Sequence, residues 1–167
     1  MALASRITLS VESNLTQALD LLTATAPLTY PVQIDLATGT GLGQADMQWS
    51  DTRTLTASST EDLDLNGVLV GPLGTTLTFL RIKALIVKAA AANTNNVVIS
   101  RPAANGVPLF SAASDALPVM PGGWFGWVAP NAAGVGVTAA TGDLITVTNS
   151  GAGTSVTYDI IVIGASA

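Results

Sequence analysis

The stretch RIKALIVKAAAANTNNVVIS, residues 81–100, decides the fold. Four consecutive alanines, Ala89, Ala90, Ala91 and Ala92, suggest a helix, and a helix here would place the chain among mixed α/β domains. The flanks read differently. Thr76, Thr78, Leu80, Ile82, Ala84, Ile86 and Lys88 alternate with Leu77, Phe79, Arg81, Lys83, Leu85 and Val87, which is the period of an extended chain. Four alanines with no cap before them and an Asn cluster after them are too few to stand alone as a helix. Asn93-Thr94-Asn95-Asn96 is turn-prone, and Val97-Val98-Ile99 resumes extended structure. The stretch is read as a hairpin with small side chains at its rim, and the chain as all-β.

The same period recurs outward from this point. Residues 6–11 (RITLSV), 32–36 (VQIDL), 49–56, 97–100, 124–128, 144–148 and 155–163 are β-rich or alternating. Turn signals separate them, among them Asn66-Gly67, Gly71-Pro72, Asn105-Gly106 and Pro121-Gly122-Gly123. Many short strands at this spacing predict a β-sandwich or barrel. Residues 13–23 (SNLTQALDLLT) are the one helical candidate: Leu15, Ala18, Leu19 and Leu22 share a face, and Ser13 or Asn14 could cap it. The rival is an extended arm continuing through Pro27 and Pro31, and this reading is preferred. Residues 1–44 are thus expected to be an N-terminal arm or additional strands, and 45–167 the sandwich body. GTGLGQ, 39–44, is read as the hinge between them.

Composition limits the function. The 167 residues are one domain's worth, and 49% are hydrophobic. Six Lys or Arg and eleven Asp or Glu make only 10% charged, against about 25% in an ordinary soluble domain. A compact chain of 16.8 kDa exposes about 7,600 Å², or roughly one charge per 450 Å². Thr, Ser and Asn could solvate such a surface, but cover by other subunits fits better. The net charge of −5 speaks against a nucleic-acid partner. Arg81, Lys83 and Lys88 interrupt the most apolar stretch, so no membrane-spanning run is expected, and MALASRITLS lacks a signal peptide's apolar core.

With no His and no Cys, Ser-His-Asp and Cys-His catalysis, ordinary zinc sites and disulfides are excluded. Two carboxylates facing each other could still serve a glycosidase. Glu61, Asp62 and Asp64 cluster, but alternation sets Asp62 and Asp64 on one face and Leu63 and Leu65 on the other, as in a half-exposed strand; a weak calcium site is the alternative. GTGLG, 39–43, lacks the spacing and the Lys-Ser or Lys-Thr of a phosphate loop. Asn14-Leu15-Thr16 matches a glycosylation acceptor, which means little without an export signal. In PGGWFGWVAP, 121–130, Trp124 and Gly126 face one way and Phe125 and Trp127 the other. At least one aromatic is therefore core, and a core or subunit-interface role is favoured over a sugar platform.

From Ala45 onward, QADMQWSDTRTLTASSTEDLDLNG, TLTFLRIKALIVKAAAANTNNVVIS, the PGG before a hydrophobic strand and GDLITVTNSGAGTSVTYDIIVIGAS together resemble small virion structural proteins of tailed bacteriophages. The resemblance spans about three quarters of the chain. It implies a β-sandwich of jelly-roll type, carried on the phage head as a capsid decoration or cement protein, commonly as a homotrimer. Its partners would be the major capsid protein and itself, with no nucleic acid, membrane, cofactor or metal, and no enzymatic activity. It would be made in the host cytoplasm and reside on the virion. Leu15, Leu19, Leu22, Leu28, Tyr30, Ala89, Ala90, Ala91, Ala92, Trp124 and Trp127 are the candidate interface residues. Two other classes are open: a head-fibre base or tail component binding host carbohydrate through Trp124 or Trp127, and a carboxylate-based hydrolase.

Overall fold

The computed structural model describes residues 2–167, so Met1, the first residue of the expected arm, lies outside it. Among the described residues there is no helix. β1 (Ser5–Ala18) and β2 (Thr23–Thr38) form one long antiparallel ribbon, paired from Ser5↔Leu36 to Ala18↔Thr23. β3 (Gln44–Ala45) adds two parallel rungs at its root. The helical candidate at 13–23 is therefore the end of β1, a turn closed by Leu19 N–H to Leu22 C=O (2.8 Å), and the first residue of β2. Its helical spacing loses to the cross-strand partners that period two supplies at every rung.

The body follows as β4 (Met47–Leu55), β5 (Thr60–Asp64), β6 (Asn66–Val70), β7 (Thr76–Thr78) and β8 (Arg81–Ala89). Then come β9 (Val97–Ser100), β10 (Ala116–Val119), β11 (Trp124–Val128), β12 (Val135–Gly136), β13 (Leu144–Asn149) and β14 (Val156–Ala165). One sheet has the order β11-β8-β14-β4, with β12 also beside β8; the other has the order β10-β9-β13-β5. The pairings are nested: β4 with β14, β5 with β13, β8 with β11 and β9 with β10, all antiparallel. The two sheets pack face to face as a β-sandwich. Leu85, Val87, Tyr158 and Ile160 on one inner face and Leu63, Ile99, Ile145 and Val147 on the other are all buried in one cluster. Burying each such side chain contributes about 1.5–3 kcal/mol.

The stretch at 81–100 is extended as expected, but it is not a hairpin. β8 lies in one sheet and β9 in the other, so the segment between them crosses the sandwich edge. The asparagines make that crossing. Asn93 receives the Thr157 N–H (2.9 Å) and donates to the Thr157 C=O (2.8 Å), copying a strand rung beyond the end of β8. The strand expected over 76–87 is also broken, into β7 and β8. Within β8, Ile163 opposes Ala84 while Gly164 opposes Ile82, which leaves Lys83 as the extra residue of a β-bulge. The bulge reverses the alternation, so Ile82 joins Leu85 and Val87 in the core instead of facing away from them.

Candidate interaction surface

The ribbon has two unlike faces. Its register opposes Ile7 to Ile34, Leu9 to Val32, Val11 to Tyr30, Ser13 to Leu28 and Leu15 to Ala26, so one face is almost wholly apolar. The other carries Arg6 opposite Asp35, Thr8 opposite Gln33 and Glu12 opposite Thr29. Arg6 Nε donates to Asp35 Oδ1 (2.7 Å), and this bond, with one from Gln33, lowers the Asp35 carboxyl below its ordinary value. Only the root of the apolar face is covered. Leu36, with Ile7 and Ile34, packs on Ala45, Ala84 and Ile163 of the body. From residue 8 to residue 31 every position is exposed.

Where the ribbon leaves the body, a groove of about 430 Å³ opens between the Ile7, Leu9, Val32 and Ile34 side chains and the outer sheet face at Ile86, Trp124 and Val128. Trp124 is 60% exposed, and its ring lies over Gly126, where an added Cβ would come within 2.6 Å of it. Along the same face Ile161, the neighbour of Ile86 across β14, stays 38% exposed.

The root is anchored by two cations for which period two predicts no more than a place on a strand face. Lys83 is fully buried, and its ammonium donates to the carbonyls of Gly41 (3.4 Å), Ala132 (2.8 Å) and Asn131. Arg81 donates to those of Thr40 (3.3 Å) and Ala132 (3.2 Å). Burial, then the neighbouring Arg81 charge, pushes the Lys83 ammonium below its ordinary pKa. The expected hinge at 39–44 is therefore a pinned loop. Gly43 N–H also bonds Pro130 C=O (2.7 Å), and Gln44 Oε1 accepts from Gly41 N–H (2.9 Å). The loop is half-buried, with Leu42 exposed, and the two cations of β8 supply donors to its carbonyls and to those of Asn131 and Ala132. The sequence holds no signal for this, because plain alternation sets Lys83 beside Leu85 on one strand face and does not require Ile82 to share the face of Leu85.

Of the candidate interface residues, Leu15, Leu19, Leu22, Leu28, Tyr30 and Trp124 are exposed. Trp127, with Phe125, packs against the core, so only one of the two tryptophans points outward. Ala89 is not at an interface at all: it ends β8 with its side chain fully buried between the sheets. Ala90 is half-buried and bonds Thr157 C=O (3.0 Å), which leaves Ala91 and Ala92 alone exposed at the rim.

The acidic cluster separates. Asp62 is exposed and accepts from the Thr146 hydroxyl, whereas Glu61 points between the sheets. There it accepts from Tyr158 Oη (2.6 Å) and Arg53 Nε (2.7 Å), and Arg53 also holds Asp51 (2.9 Å). The Glu61 hydrogen bond raises the Arg53 pKa, and burial, then Glu61, raises that of the Tyr158 phenol. The group joins the edge strands β4 and β5 of the two sheets; period two carries the signal for it, since Glu61 shares the inward face of Leu63, while its partners Arg53 and Tyr158 come from the other sheet. A carboxylate so engaged is a cross-sheet tie.

No family model, curated protein or solved structure matches this chain.

Proposed function

We propose that this protein is a non-enzymatic virion structural protein, a decoration or cement protein that binds the outer surface of a phage head and stabilises contacts between capsomers. The observation that carries the reading is the uncovered apolar ribbon, 24 exposed residues in a row rooted on a closed sandwich. Such a surface needs a partner. The sequence resemblance supplies the kind of partner, the major capsid protein, and the homotrimer as the expected state. The nested strand pairing supports the jelly-roll form that the resemblance implies, since it is one long hairpin rolled into two sheets. Binding would join neighbouring capsomers through apolar and Thr-rich surfaces and involve no chemical step.

The test is imaging of particles of the phage that encodes the chain, with and without this protein. Added density on the outer head, restored by the purified protein, is the expected result. Density confined to the tail would overturn the head assignment. A second reading rests on Trp124 alone: its exposed ring over Gly126 is a flat apolar platform of the kind that stacks on sugars. Specific binding on a glycan array, lost in Trp124→Ala, would favour a receptor-binding virion component instead.

A further inference from the structure

The ribbon's apolar face continues beyond the part its own body covers. Past the groove it carries Val11 opposite Tyr30, Leu28 opposite Ser13 and Leu15 opposite Ala26, with nothing of this chain beneath them. A two-stranded ribbon alone in water is marginal, so its length implies cover. We infer that this distal apolar face is buried against the same face of a second copy of this chain.

Three observations point to a second copy. The first is area: the surface of 8870 Å² exceeds the roughly 7,600 Å² of a compact chain this size by about 1,300 Å². A standard interface takes about 800 Å² from each partner, so the excess suffices for a stable self-association. The second is charge. Between residues 9 and 31 the only charged groups are Glu12, on the opposite face, and Asp20, in the tip turn. Identical faces can therefore meet without like charges opposed, and the segment offers no charge pattern for an acidic or basic partner to read. The third is the edge: Pro27 and Pro31 remove two backbone donors from β2, which blunts strand addition along it and leaves the face as the adhesive surface. The inference rests on the reading above, which gives the ribbon the capsid and sister subunits as partners, and deepens it by assigning the distal face to a sister subunit; tested on the purified protein, it can fail while capsid binding stands.

Light scattering on the full chain should give a multiple of 16.8 kDa, and the double variant Leu15→Glu, Leu28→Glu should run as the monomer, with its unfolding midpoint equal to that of the wild type at a dilution that favours single chains. A wild-type monomer across the micromolar range would overturn the inference and leave the face to a different partner. An unchanged oligomer in the double variant would place the interface elsewhere and overturn it equally. A second measurement does not depend on how the double variant folds. The chain has no cysteine, so Leu28→Cys should form an intermolecular disulfide on mild oxidation, whereas Val68→Cys, on the exposed face of β6, should not. Equal crosslinking of the two would mean random collision and no ribbon interface.

Discussion

Leu15 on the ribbon and Leu85 on β8 both occupy alternating positions of antiparallel strands, yet one is 76% exposed and the other 0%. Their local sequences promise the same thing, an apolar side chain on one face of a strand. Their difference lies in what stands opposite. Leu85 meets a second sheet, because the nested pairing brings β9 and β13 across from β8 and β14. Leu15 meets Ala26 beside it and nothing beneath. Alternation states which face is apolar and is silent on what covers it.

The contrast can be broken most directly by truncating each side chain. Leu85→Ala should destabilise the protein by about 2–5 kcal/mol, because the rigid inner face cannot collapse onto the cavity. Leu15→Ala, measured at a dilution that favours single chains, should cost less than about 0.5 kcal/mol. Urea denaturation followed by tryptophan fluorescence reads both. Equal losses would mean that the ribbon belongs to the core.

Next in size is the anchor between the two regions. Lys83→Met keeps most of the apolar stem and removes the ammonium, which leaves the carbonyls of Gly41, Asn131 and Ala132 without that donor. The expected cost is about 1–3 kcal/mol, the desolvation of acceptors left unpaired. Proteolysis should become faster at 39–43, since the loop then depends on Arg81 and its backbone bonds. A variant as stable as the wild type, with the loop still resistant, would show that the bulge holds the ribbon without the charge.

Period two located the strands whose partners do not matter. Residues 97–100 and 124–128 are β9 and β11 with the same ends, and the 144–148 segment is β13 less its last residue. It failed where the answer depends on the other sheet. Ala89 looks like a rim residue in sequence, but β8 runs one position further into the core than the alanine run suggests. Nearness in the chain predicts that 81–89 pairs with 97–100, whereas the nested pairing puts β8 and β9 in different sheets. The ribbon's apolar residues are legible, and so is the opposite facing of Trp124 and Trp127, but not which of the two points outward. The cradle around Lys83 is not legible, because carbonyls from 40–41 and 131–132 carry no side-chain signature.

A smaller effect separates the two regions by pH. The folded body holds the Tyr158 phenol proton above the ordinary value of 10.0, where the unfolded chain releases it. The stability this contributes is therefore complete below pH 10.0 and declines as pH rises beyond it. Tyr158→Phe should cost about 1 kcal/mol at neutral pH, because Glu61 loses one donor and keeps Arg53. It should also flatten the alkaline decline relative to the wild type. Denaturation midpoints on either side of pH 10.0 check this, and an identical slope in both proteins would show that the phenol does not govern it.

The smallest expected effect is the most telling about the ribbon. Replacing residues 10–31 with Asn-Gly joins Leu9 to Val32, which already oppose each other, through a turn suited to the twist of a two-residue hairpin. The root survives: Ile7, Ile34 and Leu36 still cover Ala84 and Ile163, and Lys83 and Arg81 still hold the 39–43 loop. All that is removed is exposed and pairs only with itself. Stability of the single chain should therefore stay within about 0.5 kcal/mol of the wild type, a surface-like change. Circular dichroism melts at low concentration make the comparison. A loss of several kcal/mol would mean that the distal strands stabilise the sandwich they leave, and that their exposed apolar face contributes to this chain's own fold.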